Sequence, residues 1–424
     1  MMKSAEFDGD VVIAGGGLAG MTLALAMDQA GLSVALVDAL EIEDQLAPSF
    51  DGRASALAYT SWRMFEALGV AEYLKPHTQR IEHILVCDGR PYGGDKPGGP
   101  GPNTLHFDRR EISEGDDGEP LGWMAENRHS RFALIQAIKA RPGIKVFAPA
   151  RAERHEKRGD GVDLFLEDGR YLSGQLLVAC DGKFSRRRQQ EGIRTAGWQY
   201  GQKGLVATVR HAEPHKGVAY EYFLPSGPFA ILPLPDNRAS LVWTEPNAIA
   251  DALKDAPEAV FQEELENRFG DFLGDVRPEG PRFAYPLGLR YAERFCEERV
   301  AFVGDAARGI HPLAGQGFNL GIRDAAALAE VVGEARRVGL DIGALITLRR
   351  YEEWRKFDSA MLAAGTDVFN RLFSNDIEPI RQLRGLGLSL VNKIGPARRF
   401  FMRQAGGETG DPPRLLKGQR LDAA

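Results

Sequence analysis

Asp10-Val11-Val12-Ile13-Ala14-Gly15-Gly16-Gly17-Leu18-Ala19-Gly20 runs into a helical pattern that reaches Ala30, and Val34-Ala35-Leu36-Val37 then ends in Asp38. The order is strand, G-x-G-x-x-G, helix, strand, acid, with the acid about 20 residues beyond the glycines. Each part has a physical task. Gly15 makes the tight turn, Gly17 admits a pyrophosphate, and Gly20 lets the helix pack on the strand. Asp38 is placed to hold the ribose of an adenosine. A lone G-x-G-x-x-G says little; in this setting it predicts a dinucleotide-binding unit of strand, helix and strand.

Two further stretches have the same grammar. Val300-Ala301-Phe302-Val303 reads as a buried strand leading into Gly304-Asp305-Ala306-Ala307-Arg308-Gly309-Ile310-His311-Pro312-Leu313-Ala314-Gly315-Gln316-Gly317-Phe318-Asn319-Leu320. A run of small apolar residues from Ala325 to Val332 then reads as a helix. Unpaired N–H groups at such a helix start favour an anion or a carbonyl oxygen. Asp305 at the strand end is suited to a ribose-type hydroxyl, and Gly315 and Gly317 let backbone approach something flat. The other stretch, Leu176-Leu177-Val178-Ala179-Cys180-Asp181-Gly182-Lys183-Phe184-Ser185-Arg186-Arg187-Arg188, reads as strand, Asp-Gly turn and helix start. Taken alone, each is also compatible with an ordinary strand–helix turn.

Together the three resemble the flavoprotein monooxygenases of the para-hydroxybenzoate hydroxylase type. The resemblance is closest to the branch of ubiquinone-biosynthesis hydroxylases. Its marks are Asp51-x-Arg53 with Ala56-Leu57, Leu121-Gly122-Trp123-Met124-Ala125-Glu126-Asn127-Arg128, Trp198-x-Tyr200-Gly201-Gln202, and His311-Pro312-x-Ala314-Gly315-Gln316-Gly317-x-Asn319-Leu320-Gly321. Tyr351-x-x-Trp354-Arg355, and Asp367 with Arg371-Leu372-Phe373-Ser374, extend it nearly to the end of the chain.

The resemblance implies that Gly15, Gly17 and Gly20 bind the ADP part of FAD, with Asp38 on the ribose. It places Asp181, Gly182, Ser185 and Arg188 by the pyrophosphate and the nicotinamide route. Arg53 meets the ribityl or phosphate side, and Arg128 the phosphates. Gly304, Asp305, Gly315, Gln316, Gly317 and Asn319 hold ribityl and flavin, while Pro312, Gly315 and Gln316 form the catalytic surroundings of the ring. The branch often carries His where this chain has Arg308, which suggests a fixed cation near the flavin entrance. The implied chemistry is reduction of non-covalent FAD by a transient NAD(P)H, uptake of dioxygen as a C4a-hydroperoxide, and oxygen transfer to the ring of a polyprenylated phenol.

The implied fold is α/β. A discontinuous Rossmann-like FAD-binding domain (1–80, 121–185 and 285–345) is interleaved with a β-sheet substrate domain (81–120 and 186–284). A helical C-terminal region (346–424) follows. Strand candidates Leu205–Val209, Ala219–Phe223, Phe229–Leu232 and Ser240–Thr244 supply the substrate sheet, and Tyr220, Tyr222 and Phe229 are candidate pocket lining. A helix from Ser130 to Lys139 is expected, with Arg128 just before it.

Several classes fall away. The net charge of −6 argues against a nucleic-acid partner. Three scattered cysteines, none in C-x-x-C, suggest a reducing compartment with neither a disulfide framework nor a zinc site. His211-Ala212-Glu213-Pro214-His215 resembles a metal cluster, but Pro214 excludes the helical face that H-E-x-x-H requires, so two exposed loop histidines are expected. No secretory signal is read before Asp10, which suggests a cytoplasmic protein. From Arg381 to Arg403 the chain carries six cations, no acid and many Leu and Phe. Such a segment suits the inner face of an anionic membrane or a biosynthetic complex. Two other functions fit the scaffold, a hydroxylase of soluble aromatic acids and a non-catalytic FAD-holding subunit.

Overall fold

Apolar residues on both faces of a short strand call for cover on both sides. The strands β1 (Val11–Ala14), β2 (Val34–Val37) and β12 (Leu176–Ala179) are of this kind, buried throughout. They pair in parallel with β1 at the centre, in register from Val11 opposite Leu176 and Val34. β8 (Ile144–Phe147) and β19 (Val300–Phe302) extend the parallel run, and β18 (Cys296–Glu297) closes one edge antiparallel. The order of this six-stranded sheet is β18-β19-β12-β1-β2-β8. Helices α1 (Leu18–Gln29) and α8 (Gln316–Arg337) pack closely because their contact is made of small residues. A Cβ on Gly321 would stand 3.3 Å from that of Ala19. The computed structural model describes residues 7–47, 49–89, 98–101, 104–112, 118–309, 316–356, 394–408 and 410–422.

Beside this sheet lies an antiparallel meander of β9 (Ala152–Lys157), β10 (Val162–Leu166) and β11 (Tyr171–Gly174). The second large sheet has eight strands in the order β20-β17-β13-β16-β15-β14-β5-β6. Its members are β5 (His83–Asp88), β6 (Thr104–Asp108), β13 (Thr195–His211), β14 (Val218–Leu224), β15 (Gly227–Leu234), β16 (Arg238–Pro246), β17 (Val276–Ala292) and β20 (Arg308–Gly309). β13 and β17 are each 17 residues long and pair over most of that length. β17 runs through position 285, so one strand joins the two regions. Helices α6 (Asn247–Asp255) and α7 (Glu258–Phe269) accompany this sheet, and Leu253, Phe261, Leu265 and Phe269 bury against one of its faces.

A small sheet of β3 (Ala54–Ala58), β7 (Gly122–Glu126) and β4 (Thr78–Ile81) lies against the opposite face. β3 is made mostly of alanine, which has little strand preference of its own, and owes its form to pairing with β7. It leads directly into α2 (Tyr59–Leu68), followed by the single turn α3 (Ala71–Leu74). Helix α4 (Asn127–Lys139) starts three residues earlier than expected, so Arg128 stands in its first turn and not ahead of it. α5 (Arg186–Gln190) is short. At the C-terminal end, residues 345–356 and Gly395–Gly406 are helical. No helix among the described residues is long and apolar enough to cross a membrane.

Candidate active site

The parallel sheet brings the three sequence motifs to one edge. Asp38 follows β2, Gly15 to Gly17 follow β1, Asp181 follows β12 and Gly304 follows β19, and these four strands are consecutive neighbours. The strand ends are tied by Gly15 N to Val37 O at 2.8 Å, Cys180 N to Ala14 O at 2.8 Å and Val303 N to Ala179 O at 3.0 Å. Ligands of open α/β sheets sit at this carboxyl edge.

The glycines divide by task. Gly15 has φ +113°, and a Cβ there would strike Cys180 O at 2.4 Å. Gly20 has no room either, since its Cβ would come 1.9 Å from Gly15 O. A Cβ on Gly17 would meet nothing within 4 Å. Gly15 and Gly20 are thus demanded by the fold, while Gly17 leaves open space at the start of α1. No side chain caps that helix start and no acid lies in its first turn. The site therefore presents N–H groups and the positive end of a helix dipole to a group that fills the space.

Asp38 accepts from Gly16 N at 2.6 Å, Leu40 N at 2.9 Å and Gln45 Nε2 at 3.1 Å. Asp181 has a buried Oδ1 with no partner among the described residues. Asp305 occupies a turn after Gly304, whose φ is +62°. Its side chain is open to solvent, yet protein surrounds it at longer range. Burial accordingly raises its pKa, against the pull of Arg53, Lys183 and Arg308. That combination marks the floor of a cleft. The open cradle at Gly17, the uncapped helix and the unpartnered Asp181 oxygen fit a dinucleotide such as FAD.

Two buried carboxylates hold the surrounding charges. Asp51 grips Arg53 through Nε at 2.8 Å, Arg131 Nη2 at 2.8 Å and Asn127 Nδ2 at 3.1 Å. Burial alone would raise its pKa, but these partners drive it well below the usual carboxylate range. Arg53 in turn lies over the Tyr285 ring, 4.8 Å from its centroid. Asp324 of α8 was missed in the sequence. It accepts from Arg308 at 2.7 and 2.9 Å, from Arg355 Nε at 2.9 Å and from Gly304 N at 3.0 Å. The signal was an acid within an otherwise apolar helical face.

Several expectations are corrected. Arg308 is not a cation at the flavin entrance; its side chain is fully buried and locked to Asp324. The Asn319 side chain is spent within the protein, donating to Ala56 O at 2.7 Å and accepting from Ala58 N at 3.0 Å and Ser61 Oγ at 2.8 Å. It thereby fixes the corner between β3 and α2, a role the sequence did not assign to it. Arg188 donates to Ala306 O at 2.6 Å and Lys183 O at 2.9 Å, binding the second motif to the third. Ser185 caps α5 by accepting from Arg188 N at 3.1 Å. Arg128 pairs with Glu126, which also binds His129 and Arg238. Burial would raise the Glu126 pKa, but the hydrogen bond to His129 and the charges of Arg238 and Arg128 lower it to about 2.

Tyr220, Tyr222 and Phe229 do not line the face next to the cleft. Tyr222 and Phe229 are 0% exposed and all three pack on the α7 side, with Phe272 and Trp243 as ring neighbours. The reason is strand alternation: aromatic bulk marked a buried face, and the sequence could not say which of two buried faces it was. His211 and His215 are buried, not exposed, and each is bonded to a backbone carbonyl, Glu213 O and Leu234 O, at 2.8 Å. Among the described residues His83, His106 and Asp108 have donor atoms within 4.8 Å of one another. There the two imidazoles share a 3.1 Å hydrogen bond and Arg110 already holds Asp108. Pro312 and Gly315 lie outside the described residues; Gln316 and Gly317 begin α8. Asp367, Arg371 to Ser374 and residues 381–393 also lie outside them.

Comparison with known proteins agrees with this geometry. The FAD binding domain family matches residues 8–341. A relative from Rhodospirillum rubrum, named ubiquinone hydroxylase UbiL, is 44% identical over 421 residues, covering 99% of this chain and 95% of its own. The Escherichia coli 3-demethoxyubiquinol 3-hydroxylase is 33% identical, over 94% of this chain and 98% of its own. The crystal structure of p-nitrophenol 4-monooxygenase PnpA from Pseudomonas putida superposes with a TM-score of 0.75 at 18% identity, covering 94% of this chain and 98% of that one, a likeness of fold. By the family match, by these relatives and by the convergence of its glycine motifs on one sheet edge, the chain belongs to the FAD-binding, para-hydroxybenzoate hydroxylase-like flavoprotein monooxygenases.

Proposed function

We propose that this protein hydroxylates the aromatic ring of a polyprenylated phenol in ubiquinone biosynthesis, using FAD, NAD(P)H and dioxygen. The end-to-end 44% identity to a ubiquinone hydroxylase carries the reading. FAD supplies the activation of dioxygen and its transfer to carbon; the protein places and shields the reacting parts.

The N–H groups around Gly15, Gly17 and the start of α1 take the pyrophosphate, and Asp38 takes the adenosine ribose. Asp305 accepts from a ribityl hydroxyl, with Arg53 beside it and Asp181 and Arg128 on the phosphate side. Gln316 and Gly317 aim the start of α8 at the flavin ring, where N–H groups stabilise negative charge. The family resemblance assigns Pro312 and Gly315 to the surroundings of the ring. No attachment residue is recognised, so FAD is held without a covalent bond. The division into an FAD-binding domain and a substrate domain, at the boundaries given above, follows from the same reading.

The substrate's tail is too apolar for water, so it is met at a membrane surface or in a complex, on the cytoplasmic side. The helix Gly395–Gly406 supports this. It docks through buried Met402 and an Arg398–Glu111 pair at 3.0 Å, while Phe400 is 63% exposed and Arg399 and Arg403 face outward.

Purified protein supplied with NAD(P)H and a short-chain prenylphenol should release one hydroxylated phenol per coenzyme oxidised. Coenzyme oxidation that ignores prenylphenols but responds to a soluble aromatic acid would transfer the protein to the other substrate class.

A further inference from the structure

A row of residues runs in register across the eight-stranded sheet: Phe283, Val206, Val242, Ala230, Glu221 and Val86. Residues paired across strands share a face. At one end of the row Phe283 lies against Gly52, where a Cβ would come 2.2 Å from the ring. Tyr285, two residues further on the same strand and face, lies under Arg53. This is therefore the face turned toward the cleft that Asp305 floors, and not the face packed on α7.

On it stand three polar side chains without partners. Glu221 is 8% exposed and has no hydrogen bond or ion pair among the described residues. Ser240 Oγ and Thr244 Oγ1, on either side of Val242, are buried and unsatisfied. Around them the face is apolar, with Ala219, Ala230, Leu232, Met124 and Met402. The charged groups on the elements packed here are engaged elsewhere: Arg238 with Glu126, Arg80 with Glu82, Arg398 with Glu111, and Asp88 with other partners. Burial is the sole cause acting on Glu221, and it pushes the carboxyl up to about 7. An uncompensated buried acid costs stability, and a fold keeps such a group where a ligand completes it.

We propose that Glu221 is the acid–base residue of hydroxylation, taking the proton of the substrate's phenol. The inference rests on the phenol-hydroxylase reading above. The phenol O–H bond breaks, an O–H bond forms on the carboxylate, and the electron pair stays on the phenol oxygen. The ring carbons ortho and para to it become electron-rich and accept the electrophilic oxygen. When the ring loses its hydrogen and becomes aromatic again, Glu221 returns the proton to the oxygen. Coenzyme supplies the two electrons, and the second oxygen atom leaves as water. A carboxylate here also repels a carboxylated substrate, which favours a neutral phenol.

Glu221→Gln and Glu221→Asp variants that retain FAD are compared with wild type on a short-chain 2-prenylphenol between about pH 5.5 and 9. Wild-type hydroxylation is expected to rise with pH through about 7. The Gln variant should lose about a hundredfold or more, with the Asp variant partly restoring the rate on a displaced profile. Independently of turnover, the affinity for prenylphenol should change with pH through about 7 on wild type, where the phenol O–H meets the titrating carboxyl, and stay flat on the Gln variant. A Gln variant with the wild-type rate and pH profile overturns the assignment and leaves the hydroxylase reading standing. Should that variant lose FAD, the wild-type binding titration decides, and a prenylphenol affinity that is flat between about pH 5.5 and 9 overturns it. Wild-type protein that hydroxylates no prenylphenol removes the reading and the inference together.

Discussion

Asp324 and Glu221 are both carboxylates inside the protein, and they are treated in opposite ways. Asp324, beneath the flavin-side edge, has every contact filled, with two arginines and a backbone N–H around it. Glu221, on the cleft-facing side of the second sheet, is given no cation and no donor among the described residues. A buried charge that is paired serves as a fixed joint, because losing either partner strands the other. A buried acid left unpaired titrates within the working pH range. The cofactor side is thus built for rigidity and the substrate side for proton transfer.

The largest effect that sharpens the contrast is Asp324→Ala. It leaves Arg308 and Arg355 buried without their partner and frees the Gly304 turn, at a cost of about 3–5 kcal/mol. Chemical denaturation should show the loss, together with reduced FAD content. A loss below about 1 kcal/mol would falsify the view of Asp324 as a joint.

Glu221→Gln should move stability the other way, and only at higher pH. Below the ordinary carboxyl value of 4.5 the acid is neutral in both folded and unfolded chains, and the substitution changes little. As pH rises toward about 7 the unfolded chain loses the proton while the folded one retains it, so wild-type stability falls. Above that the folded protein carries a penalty of about 3 kcal/mol, which Gln lacks. Melting curves at acid and at mildly alkaline pH test this; a stability gap that stays constant between them means that Glu221 is charged and compensated.

On the cofactor side, Asp305→Ala removes one charge-assisted bond to FAD worth about 1.5–3 kcal/mol, roughly ten- to a hundredfold in affinity. Flavin fluorescence titration measures it, and the fold should be unaffected because the side chain is open. Unchanged affinity would place the ribityl chain elsewhere. A companion test is Gly17→Ala, which has room in the protein alone. It should weaken FAD binding without lowering the stability of the flavin-free protein.

The smallest effects lie at the surface. Arg399→Glu and Arg403→Glu should each weaken binding to anionic vesicles by about 1 kcal/mol, more at low salt. Vesicle sedimentation equal to that of wild type would make Gly395–Gly406 a packing helix only. Arg398 is a poor choice for this test, since its pair with Glu111 docks the helix.

What the sequence determined by itself was local. The glycine spacing, the apolar runs of β1, β2, β12 and β19 and the acid after β2 each follow from backbone sterics and periodicity within a few residues. These suffice for the dinucleotide unit and for the α/β class. The tertiary structure decided whatever depends on partners far apart in the chain. Asn319 meets Ala58 across 261 positions, and no local pattern announces that its amide is already spent. Arg308 looks like a free cation until Asp324, a helical segment away, closes on it. Tyr222 and Glu221 are adjacent residues on one strand, both buried. Alternation says that they face opposite ways, but only the packing of α7 on one face and of β3, β4 and β7 on the other says which side meets the cleft. Strand periodicity is symmetric between the two faces of a sheet, and the neighbouring layers break that symmetry.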